Sequence, residues 1–240
     1  MKIGLCYGMW SSQQTLSLLY SKLIEAGYEV VWLRQDIDRR NTRTITDCIK
    51  LAYQRVIKHQ VTMLAGHSMG GLICMKVVEQ MLNTCNSGQI KKLLLFTPAA
   101  PRGIIPIDNL DQIMGILSSW FDLTKETFCP DIKTAGKVLY NQHSQLGLGW
   151  NYNDLKPDFS SLFKSILVPG VSVSSVRCLA LIISGDSDKT VSPRISKSIY
   201  QKYFLSGSSE LIIAEGHDHM SIVNHQEVVE QGINFLKGAP

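Results

Sequence analysis

The chain has 240 residues, 45% of them hydrophobic and 18% charged, with a formal net charge of +4. That length carries one large domain or one domain with an insertion, and the apolar fraction is too high for a disordered chain. The basic residues are dispersed apart from short clusters such as Arg39-Arg40 and Lys91-Lys92, with no basic stripe interleaved with aromatics, so no nucleic-acid partner is expected.

Short apolar runs alternate with segments of helical period. "KIGLCYG" reads as a strand ending in a glycine turn, and residues 12–26 as a helix with Leu16, Leu19, Leu23 and Ile24 on one face. "YEVVWL" (28–33) is a second strand. Residues 42–59 are amphipathic, with Ile45, Cys48, Ile49, Ala52, Tyr53, Val56 and Ile57 at three- and four-residue steps. "VTMLA" (61–65) is a third strand, 69–83 a helix, "IKKLLLFTPA" (90–99) a fourth strand, 176–186 a fifth and 209–216 a sixth. Residues 222–237 close the chain as a helix.

Continuous apolar strands alternating with helices imply a doubly wound, mostly parallel sheet of about six strands, covered on both faces. Residues 104–175 break the alternation. They hold no convincing strand, only helix-like pieces such as "NLDQIMGILSSWF" separated by Pro, Gly and Asn. The expected organisation is a core of 1–103 and 176–240 with a helical cap inserted over 104–175.

No run approaches the roughly 18 uncharged apolar residues a spanning helix needs, so no stable membrane insertion is expected. "MKIGLCYGMW" is a poor signal peptide. The six cysteines form neither C-x-x-C pairs nor a metal-ligand spacing, which reads as reduced thiols in a cytoplasmic protein.

The stretch "AGHSMGG" (65–71) places G-x-S-x-G directly after a predicted strand and at the start of a predicted helix. That is the pattern of a nucleophile elbow: Ser68 on a sharp turn, with Gly66 and Gly70 where neighbouring chains leave no room for side chains. A serine needs a base, and the base needs an orienting group. Asp186 and Asp188 follow the fifth strand, His217 and His219 the sixth.

The pieces "CYGMWSS", "TPAAPRG", "GHSMGG", "GDSDKTV", "GHDHMSIVNHQEVV" and "INFL" resemble the α/β-hydrolase superfamily over nearly the whole chain, closest to small, cofactor-free esterase- or lipase-like members. The resemblance implies a sheet beginning at the strand the family counts third, without the usual first two. It implies a triad of Ser68, Asp188 and His219, with His217 the alternative base. Asp186 would cap the turn, and Asp108 is the acid if it comes from after the fourth strand. Oxyanion-hole donors would be the backbone N–H groups of Met69 and Met9. The family commonly has His-Gly before the second donor; here Tyr7-Gly8 stands there, which leaves open how that loop is braced.

The other histidines read plainly. His67 is poorly aimed as a base, His59 ends an exposed helix, His225 is expected to be exposed on the face or end of the last helix, and His143 sits in the cap and could line the pocket. The resemblance implies ester hydrolysis without metal or cofactor, and the dense apolar residues in the first part of the cap favour an uncharged ester with a modest apolar acyl group. Trp10, Met114, Leu117 and Trp120 are the expected substrate-binding residues. The same fold also supports acyl transfer, cofactor-free peroxidation, lyase chemistry or a silent binding role.

Overall fold

The computed structural model describes residues 1–84, 86–106, 124–204 and 209–238. Six strands form one sheet: β1 (Lys2–Cys6), β2 (Glu29–Trp32), β3 (Met63–His67), β4 (Lys92–Phe96), β7 (Leu179–Gly185) and β8 (Glu210–Ala214). Their order is β2-β1-β3-β4-β7-β8, and every neighbouring pair is parallel. The chain passes from β1 to one side and then returns to the other, so the switch point lies between the carboxyl ends of β1 and β3. Open sheets of this kind collect their functional groups there.

Side chains alternate across the sheet and fill two cores. Leu93, Leu95, Ala180 and Ile182 face α2 (Ile45–His59), α3 (Met69–Leu82) and α6 (Pro193–Tyr203). Leu94, Phe96, Leu181 and Ile183 face α1 (Ser17–Glu25) and α8 (Gln226–Lys237). Strands buried on both faces need apolar residues at every position, which is why they read as unbroken runs. Helix α8 comes so close to β4 that a Cβ on Gly232 would stand 2.9 Å from Leu94.

Local signals set the helix ends. Thr44 and Asp47 form a reciprocal capping box at the start of α2, and Gln60 ends it in the left-handed conformation. Ser192 caps α6, with Pro193 at its first position. The closing helix expected over 222–237 is two helices. Residues Ser221–Asn224 form α7, His225 is extended, and α8 starts at Gln226. The break lets α7 follow the histidine loop while α8 lies along the sheet.

Between β4 and β7 the described residues hold α4 (Ile132–Val138) and α5 (Ser160–Leu167). They also contain strands where none was expected: β5 (Thr127–Phe128) pairs antiparallel with β6 (Asp158–Phe159). Two residues per strand give no readable alternation, so the pair is formed by tertiary contact rather than by local pattern. Val171, Val173 and Val176 then pack into the core of the sheet. Among the described residues no helix is long and apolar enough to cross a membrane.

Candidate active site

Ser68 lies at the switch point, between β3 and α3, with φ 55° and ψ −125°. An L-residue holds that conformation only where its surroundings enforce it. Here the Ser68 N–H donates to the Phe96 carbonyl at 3.0 Å, and the Ser68 carbonyl accepts from Gly71 and Ala99, each at 2.9 Å. The two flanking glycines are required by contact. A Cβ on Gly66 would meet the Gly70 carbonyl at 2.6 Å, and one on Gly70 would meet the Cys6 carbonyl at 2.1 Å. Four described non-glycine residues have positive φ, and three of them, Trp10, Ser68 and Thr97, surround this site.

Asp188 and His219 meet beside the elbow. His219 Nδ1 lies 2.8 Å from Asp188 Oδ2. A carboxylate oxygen accepts, so Nδ1 carries a proton, and Nε2 is the nitrogen that holds the lone pair when the ring is neutral. The same carboxylate accepts from Thr97 Oγ1 at 2.6 Å and from the N–H groups of Thr190 and Val191 at 2.7 and 2.8 Å. Both residues are almost fully buried, so the pair is rigid and largely shielded from water. The His219 carbonyl accepts from His67 Nε2 at 2.9 Å, and the two rings lie 4.8 Å apart. Burial, and then the neighbouring His219 ring, push the His67 pKa down to about 3.

The remaining sequence candidates separate clearly. The His217 ring binds Ser221 Oγ through Nδ1 at 3.2 Å and packs on His225, so its partner is not the Asp188 carboxylate. Burial and the neighbouring His225 lower its pKa. Asp186 accepts from the Gly216 N–H at 2.8 Å, tying the loops after β7 and β8 together. His225 is half-buried rather than exposed, because it packs on His217, and His59 is half-buried too. His143 is buried against Asp218, with Nδ1 3.0 Å from Oδ2, and is not among the described lining of the cavity. Burial would raise the Asp218 carboxyl, but His143 and the N–H groups of Gln142 and Ser221 hold it below its ordinary value. Asp108, Met114, Leu117 and Trp120 lie outside the described residues.

Ser68 opens onto a cavity of about 160 Å³. Met9, Trp10 and Met69 line it from the sheet side, and Phe128, Phe163, Ile166 and Leu167 from the segment between β4 and β7. Trp10 stacks on Phe163 at 5.8 Å and meets Phe128 edge-on at 5.2 Å. Gly8 stands against Ser68: a Cβ there would lie 3.3 Å from Ser68 Oγ. Among the described residues, no hydrogen bond engages the N–H of Met9 or of Met69. The sequence reading missed Thr97. It opens the quoted piece "TPAAPRG", but only the tertiary structure shows its hydroxyl on the Asp188 carboxylate.

No family model matches the chain, and no curated protein matches it in sequence. Solved structures do match in shape. The monoacylglycerol lipase of Paleococcus ferrophilus is 14% identical with a TM-score of 0.66, over 98% of this chain and 94% of that one. The bromoperoxidase of Bacillus anthracis is 18% identical with a TM-score of 0.66, over 99% and 92%. Tomato methylketone synthase I, solved with 2-tridecanone, is 13% identical with a TM-score of 0.66, over 98% and 97%. The parallel sheet order, the strained serine turn after β3 and these likenesses in shape together identify the chain as having the α/β-hydrolase fold.

Proposed function

We propose that the protein is a serine hydrolase that cleaves a small carboxylic ester through an acyl-enzyme on Ser68. The observation that carries this reading is the His219–Asp188 pair, held at 2.8 Å beside a serine in a strained turn. His219 Nε2 takes the Ser68 proton as Oγ attacks the ester carbonyl. Asp188 keeps the ring in the tautomer with Nδ1 protonated and stabilises the imidazolium that forms. The Met9 and Met69 N–H groups would receive the developing oxyanion, supported by their lack of other partners among the described residues. The protonated His219 then gives its proton to the leaving alcohol. Water, activated by the same ring, releases the acid. These steps require no metal or organic cofactor.

The apolar lining of the cavity favours an uncharged acyl group of modest length. In this reading residues 104–175 act as the cap that closes the site. The five described cysteines are free, in keeping with a cytoplasmic location. A second reading, acyl transfer or another non-hydrolytic reaction at the same serine, draws on neighbours that include a bromoperoxidase and a methylketone synthase.

The test is a series of p-nitrophenyl esters from acetate to octanoate on the purified protein, with fluorophosphonate labelling in parallel. Hydrolysis and labelling that are both lost in Ser68→Ala support the hydrolase. Labelling without ester turnover favours the second reading. A wild-type protein that neither labels nor turns over excludes both.

A further inference from the structure

The loop that carries the Met9 N–H is held by a buried ion cluster that joins Arg34 and Arg39, from the stretch after β2, to Asp158 of the segment between β4 and β7. The Arg34 guanidinium forms a short contact with Asp158, and both side chains are almost wholly buried. Arg34 also donates through Nη1 to the Gly8 carbonyl at 3.2 Å. Asp158 Oδ2 accepts the Trp10 N–H at 2.7 Å. Arg39 adds an outer arm, donating to Asp158 Oδ1 at 2.6 Å and to the Ser11 carbonyl. On the other side of the same residue, the Trp10 carbonyl accepts from the Lys156 N–H at 2.7 Å. The peptide groups on either side of Met9 are thus fixed from outside the loop: the Gly8 carbonyl by Arg34, the Trp10 N–H by Asp158.

Tyr7 explains why the cluster can sit there. The guanidinium carbons of Arg34 and Arg39 lie 5.2 and 5.5 Å from the centre of its ring. Its hydroxyl donates to Asp36 at 3.1 Å. An aromatic face beneath two guanidinium groups compensates part of their lost hydration. Trp10, next in line, holds a positive φ of 58°. A residue with that backbone needs external restraint to stay put.

We propose that Asp158 and Arg34 are positioning residues for the oxyanion hole, and that through them the segment between β4 and β7 holds the Met9 N–H aimed at the reacting carbonyl. The inference rests on the serine-hydrolase reading. The clamp touches neither substrate nor Ser68. Its effect is carried by the orientation of one N–H, which matters where negative charge develops and little for holding the ground-state ester.

Removing Asp158 alone would leave a buried guanidinium without its counter-charge and destabilise the chain for reasons unrelated to the clamp. The test therefore replaces the pair. Arg34→Met/Asp158→Leu removes both hydrogen bonds to the loop while leaving no buried charge between them. Arg34→Met/Asp158→Asn restores an acceptor for the Trp10 N–H. The readouts are kcat and KM on p-nitrophenyl butyrate, the inhibition constant of an aryl trifluoromethyl ketone, and the melting curve. The Leu variant is expected to lose about 10- to 100-fold in kcat with KM within about threefold. Its affinity for the ketone, which forms an oxyanion on Ser68, should fall in step, and the Asn variant should recover much of both. A folded Leu variant with kcat and ketone affinity within twofold of wild type would overturn the clamp. So would equal losses in the Leu and Asn variants. Should neither pair fold, Arg39→Gln carries the test: a loss of a few fold in kcat at constant KM supports the clamp, and unchanged kcat overturns it. Failure of the hydrolase reading is separate, because it shows in the wild type as an absence of Ser68-dependent turnover of the p-nitrophenyl esters.

Discussion

Gly70 lies directly beneath the main chain of Cys6: a Cβ on Gly70 would stand 2.1 Å from the Cys6 carbonyl oxygen. No rotamer relieves this contact, because both partners are backbone. The contact brings the first turn of α3 against the end of β1, and so brings Ser68 and Gly8 together. Gly70→Ala should therefore destabilise the protein by about 1–3 kcal/mol, and Gly66→Val should do the same through the Gly70 carbonyl. Thermal melts of both variants measure this. An unchanged melting temperature would contradict the close approach.

Ser68→Ala separates chemistry from folding. The side chain makes no hydrogen bond that holds the elbow together, since the backbone of Ser68 supplies those contacts. Ester turnover should fall by at least about 10³-fold. The melting temperature should stay within a few degrees. A variant that kept full activity would remove Ser68 from the mechanism.

Asp188→Asn should damage both activity and stability. The carboxylate accepts from Thr97, Thr190, Val191 and His219, and an amide turns an –NH₂ towards donors. With the ring no longer held with Nδ1 protonated, kcat should fall by about 10³- to 10⁴-fold. The unmatched donors should cost a further 1–3 kcal/mol or so of stability. Steady-state kinetics and denaturant unfolding read the two effects separately.

His67 predicts a pH dependence of stability. Its folded pKa, near 3, lies below the unfolded value of about 6.5. Between these values the unfolded chain binds the extra proton and the folded one does not. Stability from this residue is therefore present above about pH 6.5 and is lost progressively towards pH 3. Urea midpoints measured from pH 7 to pH 4 should fall, and His67→Gln should flatten that fall. An equal slope in wild type and variant would show that other groups set it.

Ile166 lines the cavity from α5. Ile166→Trp should shorten the acyl space, lowering kcat/KM for the octanoate ester by about tenfold while leaving the acetate ester nearly unchanged. A uniform effect on all chain lengths would place the acyl group elsewhere.

Much of this architecture was readable from residue order. The inner strands β1, β3, β4 and β7 were apparent as apolar runs because burial on both faces demands apolar side chains at successive positions. The elbow was legible because steric crowding leaves glycine as the residue that fits at 66 and 70. The loops that carry Asp188 and His219 followed from their places after β7 and β8. Other features depend on partners distant in sequence. His143 reads as a possible pocket residue until Asp218, 75 positions later, is found at its ring. The β5–β6 pair is too short to carry a pattern of its own.

From the sequence alone came the parallel sheet, the strained turn at Ser68 and a short set of acids and histidines to partner it. These follow from local rules: side-chain period, turn sterics and the order of loops along the chain. Only the tertiary structure set His219 rather than His217 on the Asp188 carboxylate, put Thr97 behind it, and joined Arg34 to Asp158 across 124 residues beside the Gly8–Trp10 loop. Those pairings are decided by which buried polar groups meet when the layers close, and nothing in the neighbouring residues of either partner specifies that meeting.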